Sequence, residues 1–99
     1  MMRCRGYVIS PEDLQNMQDF IALDNPKAAE KVIEQLFAAF ESLVKFPHKG
    51  HLRPDFTKRN VRFWAVGSYL VVYRVTRGSL QVAAILHSAR DVLQVLEMR

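Results

Sequence analysis

The 99-residue chain has one cysteine, Cys4, so it can form neither an intramolecular disulfide nor a multi-cysteine metal site. A lone thiol fits a reducing compartment. No stretch approaches the roughly 20 apolar residues that cross a bilayer. The amino terminus, Met1 to Ile9, has two arginines but no apolar run of signal-peptide length. Glycines Gly67 and Gly78 stand alone as turn residues, and no phosphate-binding loop is present. There is no Ser-His-Asp or Cys-His arrangement. His48 and His51 lack an acid or thiol at ligand spacing, and zinc wants three or four ligands. No metal, no cofactor and no membrane partner are therefore expected, and the cytoplasm is the expected location. Repeats, low-complexity tracts and linkers are missing too, which leaves residues 1–99 as one domain with a modest core.

What is present is a lopsided charge. Residues 1–44 hold four basic groups against seven acidic ones, whereas residues 45–99 hold ten basic groups against Asp55, Asp91 and Glu97. The densest part runs Lys45, His48, Lys49, His51, Arg53, Lys58, Arg59, Arg62. Such a field favours anionic partners. Lys49, Arg53, Lys58 and Arg59 are the anion-binding candidates; the competing reading is a solvated loop that keeps the protein soluble.

Hydrophobic spacing defines the elements. Gly6-Tyr7-Val8-Ile9 reads as a first strand, and Ser10-Pro11 opens a helix as N-cap and first-turn proline, with Asp13 at the capping-box position. This helix carries Leu14, Met17 and Ile21 on one face and stops near Leu23. Asn25-Pro26 promises a second start of the same kind. From there Ala29, Val32, Ile33, Leu36, Phe37, Phe40, Leu43 and Val44 keep helical spacing until Pro47. So short a link makes the two helices an antiparallel hairpin. Three strands follow, Val61 to Val66, Tyr69 to Val75 and Leu80 to Leu86, and a short helix spans about Asp91 to Met98. The expected class is α+β in the order β-α-α-β-β-β-α, with the helical hairpin packed on a mainly antiparallel sheet.

Gly67-Ser68 predicts a two-residue II′ turn with glycine at positive φ. That turn pairs Val66 with Tyr69, Trp64 with Val71 and Arg62 with Tyr73. One face then holds Arg62, Trp64, Val66, Tyr69, Val71 and Tyr73, and the other Val61, Phe63, Ala65, Leu70, Val72 and Arg74. Both faces are apolar, although a half-wet antiparallel sheet should alternate. The helical hairpin covers one side only and the last helix is short, so an apolar groove for a partner is expected, with Trp64, Val66, Tyr69, Val71 and Tyr73 as its candidates. The competing reading makes Trp64, Tyr69 and Tyr73 plain core aromatics.

Four segments carry a family resemblance. Tyr7-Val8-Ile9-Ser10-Pro11-Glu12 with Asp13-Leu14 resembles the opening of ParE/RelE-superfamily toxins. Asn25-Pro26-Lys27-Ala28-Ala29 and Phe46-Pro47-His48-Lys49-Gly50 resemble the second helix and its exit. Val61 to Val75 is similar to the central hairpin, and Ile85-Leu86-His87-Ser88-Ala89-Arg90-Asp91 to the closing His-x-x-Arg-Asp segment. Together they span nearly the whole chain in order.

The resemblance implies the toxin of a type II toxin–antitoxin module, in hetero-oligomeric complex with a cognate antitoxin. ParE-like members poison DNA gyrase without chemistry of their own, whereas RelE-like members cleave mRNA on the ribosome. Cleavage needs groups that deprotonate a 2′-OH, stabilise phosphate charge and protonate the leaving oxygen. RelE-like members use lysines, arginines and often a tyrosine near the carboxyl terminus, and here no tyrosine follows His87. The ParE-like branch is therefore favoured. On the ribonuclease alternative, Arg62, Arg74, His87 and Arg90 are the catalytic candidates. The structural reading of the closing segment has Asp91 cap the last helix and an arginine pair with it. The antitoxin tail is expected to be disordered when free and to meet the basic half with acidic residues.

Overall fold

The computed structural model describes residues 6–54 and 58–87. It contains β1 (Gly6–Val8), α1 (Pro11–Asp24), α2 (Ala29–Lys45), β2 (His51–Leu52), β3 (Arg62–Val66), β4 (Tyr69–Thr76) and β5 (Ser79–His87). The expected last helix, and with it Asp91 and Arg90, lies outside the described residues. The five strands form one sheet in the order β1-β5-β4-β3-β2. Only β1 runs parallel to its neighbour β5; the other pairings are antiparallel.

Local chemistry explains the boundaries. Ser10 caps α1 through its Oγ, which accepts from the Asp13 amide at 3.0 Å, and Pro11 occupies the first turn, where its missing N–H is no loss. The second start differs from expectation. Asn25 closes α1, its N–H donating to the Ile21 carbonyl, and Pro26 to Ala28 form a turn, so α2 begins only at Ala29 without a side-chain cap. The 17 residues of α2 then end where Pro47 forbids another turn.

Both hairpin turns are two residues long. Val66 pairs with Tyr69 across Gly67 at φ +58°, with Ser68 outside the left-handed region, as a II′ turn requires. Thr76 pairs with Ser79 across Arg77 (φ 40°) and Gly78 (φ 81°), so this turn is type I′, which twists with the strands. Register shifts by one residue where Val72 opposes Ala84 but Tyr73 opposes Val82, making Ala83 the extra residue of a bulge in β5.

The helices take one face of the sheet. Met17 and Ile21 of α1 and Leu36, Phe40 and Leu43 of α2 pack on Tyr69, Val71, Tyr73, Leu80 and Val82. The Tyr7 ring joins β1 to this core at 5.1 Å from Phe40. Full burial of side chains such as Leu36 and Phe40 stabilises by about 1.5–3 kcal/mol each. On the opposite face Val61, Phe63, Val72 and Leu86 make a smaller buried cluster.

Candidate functional site

Burial divides the five residues expected to line a groove. Val71 and Tyr73 are fully buried and Tyr69 nearly so, all under the helical hairpin, while Trp64 and Val66 pack at the margin of the same core. Tyr69, Val71 and Tyr73 form the wall that the helices cover, and Trp64 and Val66 stay partly exposed at its edge. The physical reason lies in the two phenols, which need polar partners when buried. Tyr73 Oη donates to the Pro47 carbonyl at 2.7 Å and accepts from the Gly50 amide at 2.9 Å. Tyr69 Oη donates to Asp24 Oδ2 at 2.5 Å. The helix ends supply these partners, so the aromatic face turns toward them.

Tyr73 also shapes the basic corner. Its hydroxyl holds the turn that leaves α2, and Arg62 Nη1 donates to the Gly50 carbonyl at 2.8 Å from the next strand. Gly50 is needed at this contact: a Cβ there would stand 2.7 Å from Tyr73 Cε1. With the turn fixed, Lys49 Nζ sits 4.5 Å above the Trp64 ring and donates to Ser42 Oγ at 2.9 Å. The His51 ring stacks on Trp64 at 6.4 Å with 28° between planes. A cation over an indole at such an exposed site is worth about 0.5–1 kcal/mol. Lys49 thus holds Trp64 and Ser42 together, and His51 stacks beside them. Of the anion-binding candidates, Arg53, Lys58 and Arg59 come together around a shallow hollow of about 220 Å³, with Leu52 and Asn60 beside them.

Of the catalytic candidates of the ribonuclease alternative, Arg90 lies outside the described residues, and the other three stand apart. Arg62 lies on the helical face of β3, bonded to Gly50. Arg74 lies on the opposite face of β4, its Nε donating to Gln81 Oε1 at 3.0 Å. His87 sits at the far end of the sheet, opposite Tyr69, with Nε2 3.7 Å from Asp24 Oδ2 and its ring edge-on to Tyr69 at 5.5 Å. The Tyr69–Asp24–His87 cluster is a link that the sequence reading missed. It ties the last residue of α1 to β4 and β5, and Phe20 closes it with an edge contact to Tyr69 at 5.8 Å. The one signal for it was an acid in a last helical turn that has no base beside it.

Among the described residues no three His, Cys, Asp or Glu side chains group as metal ligands do, and no helix is long and apolar enough to cross a membrane. Helical hairpin, mixed five-stranded sheet and basic corner together define a small α+β domain. Residues 11–92 match the family described as "ParE toxin of type II toxin-antitoxin system, parDE". The chain is 31% identical over 78 residues to Toxin RelE2 of Caulobacter vibrioides, covering 79% of this chain and 85% of that protein. Its fold is similar to that of a chain in the structure titled "Chromosomal ParDE TA system from P. aeruginosa", with a TM-score of 0.61 at 20% identity, covering 88% of this chain and 96% of that one. The protein belongs to the ParE toxin family, within the ParE/RelE superfamily.

Proposed function

We propose that this type II toxin acts in the ParE manner: it inhibits DNA gyrase by binding it, performs no cleavage of its own, and is neutralised in a complex with a cognate antitoxin. The observation that supports the non-catalytic reading is the dispersal of Arg62, Arg74 and His87. Cleavage needs base, cation and acid within reach of one phosphodiester. Arg62 and Arg74 stand on opposite faces of the sheet. Tyr73, the partner of Arg62, and Tyr69, the partner of His87, are separated along β4 by about 14 Å at 3.4 Å per residue. The hollow of Arg53, Lys58 and Arg59 suits an anionic surface on the target.

The test combines two assays on the purified chain. Added to gyrase, it should abolish supercoiling and accumulate cleaved-DNA complexes. Added to a translating extract, it should leave mRNA intact by primer extension, and His87→Gln should arrest growth as the parent does. Codon-specific cuts in the message, lost with His87→Gln in a protein that still folds, would move the chain to the ribonuclease branch, where a missing acid or base removes about 10²–10⁴ of the rate.

A further inference from the structure

The basic corner has almost no counter-charge. Asp55 is the only acid from position 45 to position 87, and Lys45, His48, Lys49, His51, Lys58 and Arg59 are all exposed. These cations follow one edge of the sheet. The exit of α2 carries Lys45 to Lys49 into β2, and the hollow beside Leu52 gathers Arg53, Lys58 and Arg59. From Lys49 to Arg53 the chain reaches up to about 13 Å at 3.3 Å per residue, the rise of roughly four nucleotides of a DNA strand at 3.4 Å each. Lys49 is preset for an anion. Ser42 takes one of the three donors of its ammonium and the Trp64 ring lies beneath it, so little side-chain freedom is lost when a phosphate oxygen takes another. Arg53 and Arg59 bring planar forks that match phosphate geometry, and Asn60 adds an amide donor.

Composition separates two kinds of anionic partner. Interfaces between proteins deplete lysine and centre on buried apolar anchors, whereas those with DNA are polar and strongly basic. The hollow has only Leu52 and Pro54 as apolar lining. Trp64 is already engaged by His51 and Lys49, which suits it to positioning cations along a backbone rather than to stacking on unpaired bases. We infer that this corner grips the phosphate backbone of duplex DNA without reading its sequence, so that the toxin engages gyrase together with the DNA the enzyme holds. The inference rests on the gyrase reading and makes the anionic partner of the hollow a nucleic acid instead of an acidic protein surface.

The experiment uses the full chain and a short fluorescent duplex DNA, with anisotropy followed from about 50 to about 200 mM salt. Contacts to about three phosphates should give a slope of log affinity on log salt of about −3. Lys58→Gln and Arg59→Gln, checked for folding by a thermal melt, should each make the slope shallower by about one and weaken binding at least threefold whatever the sequence. The double variant should need at least tenfold more toxin to half-inhibit supercoiling. Lys31→Gln, exposed on α2 about 21 Å from Lys45 at 1.5 Å per residue, should change none of these. A slope shallower than about −1, or slope and affinity unchanged in both folded variants, would overturn the grip on DNA while inhibition by the parent keeps the gyrase reading. An RNA of equal length bound at least tenfold more tightly would overturn it in favour of RNA. Loss of binding to DNA-free gyrase in the double variant, with duplex binding unchanged, would overturn it in favour of an acidic protein surface. A parent chain that binds the duplex as expected but leaves supercoiling untouched would overturn the gyrase reading and leave the grip on DNA standing.

Discussion

Replacing Tyr73 by phenylalanine removes one oxygen and tests what holds the corner between α2 and β2. The side chain is 0% exposed, and its hydroxyl both donates to Pro47 and accepts from Gly50. Phenylalanine fills the same space, so no large cavity opens, but a buried amide and a buried carbonyl lose this partner. Leaving such groups unsatisfied costs about 1–3 kcal/mol each. With two groups affected, and the carbonyl still able to find other donors, the expected loss is about 2–4 kcal/mol out of the roughly 5–15 kcal/mol that a chain of this size has. Urea unfolding followed by fluorescence suits the measurement, because the single tryptophan, Trp64, lies against Lys49 and His51 on the same corner. The midpoint should fall by about 1–2 M with the slope unchanged. Gly50→Ala attacks the same contact from the other side. Its Cβ would meet ring carbons Cε1 and Cζ at 2.7 and 2.9 Å, which phenylalanine retains, so the double variant should be no more stable than Gly50→Ala alone. A loss below about 0.5 kcal/mol for Tyr73→Phe, the range of an ordinary surface change, would refute the account of the corner.

Two smaller perturbations probe the ends of the core. Ser10→Ala deletes the acceptor of the Asp13 amide and should cost about 1 kcal/mol in the same urea titration. The Tyr7 phenol is held above its usual value of 10.0, chiefly by burial and secondly by the Glu41 carboxylate. A raised value means that folding favours the protonated phenol, so its contribution is full below about pH 10 and is lost as pH rises through the raised value. Unfolding midpoints followed into the alkaline range should therefore decline less steeply for Tyr7→Phe than for the parent.

The fold was legible where a short-range rule fixes a long-range result. A two-residue turn at Gly67-Ser68 determines every pair from Val66–Tyr69 to Arg62–Tyr73, and all of these pairs occur. The capping pattern of Ser10, Pro11 and Asp13 did the same for α1. Asn25-Pro26 misled because the same two residues serve equally well to close one helix as to open the next. Which face of the sheet the helices would take was not readable, since both faces are apolar. The choice depends on phenol partners such as Asp24 and Pro47, which lie far away in sequence. Nor does any local pattern announce a two-residue strand such as β2 or the bulge at Ala83. Of the site residues, Arg53, Lys58 and Arg59 meet because they are close in sequence. Arg74 stands apart from Arg62 because neighbouring strand positions point to opposite faces, and His87 shares the face of Arg62 but sits at the other end of the sheet.

The parallel pairing of β1 with β5 has a consequence for how the molecule is made. Val8 leaves the ribosome about 70 residues before its partner Gln81. At roughly 5–20 residues per second, that interval lasts several seconds. Both helices can form during the wait, since their bonds are local, and β3 and β4 can close across Gly67 as soon as they appear. The first strand cannot join the sheet until β5 exists. Its pairing closes by far the longest loop in the described sheet, so the docking of β1 is a late event in folding, slowed by the distance the chain must search.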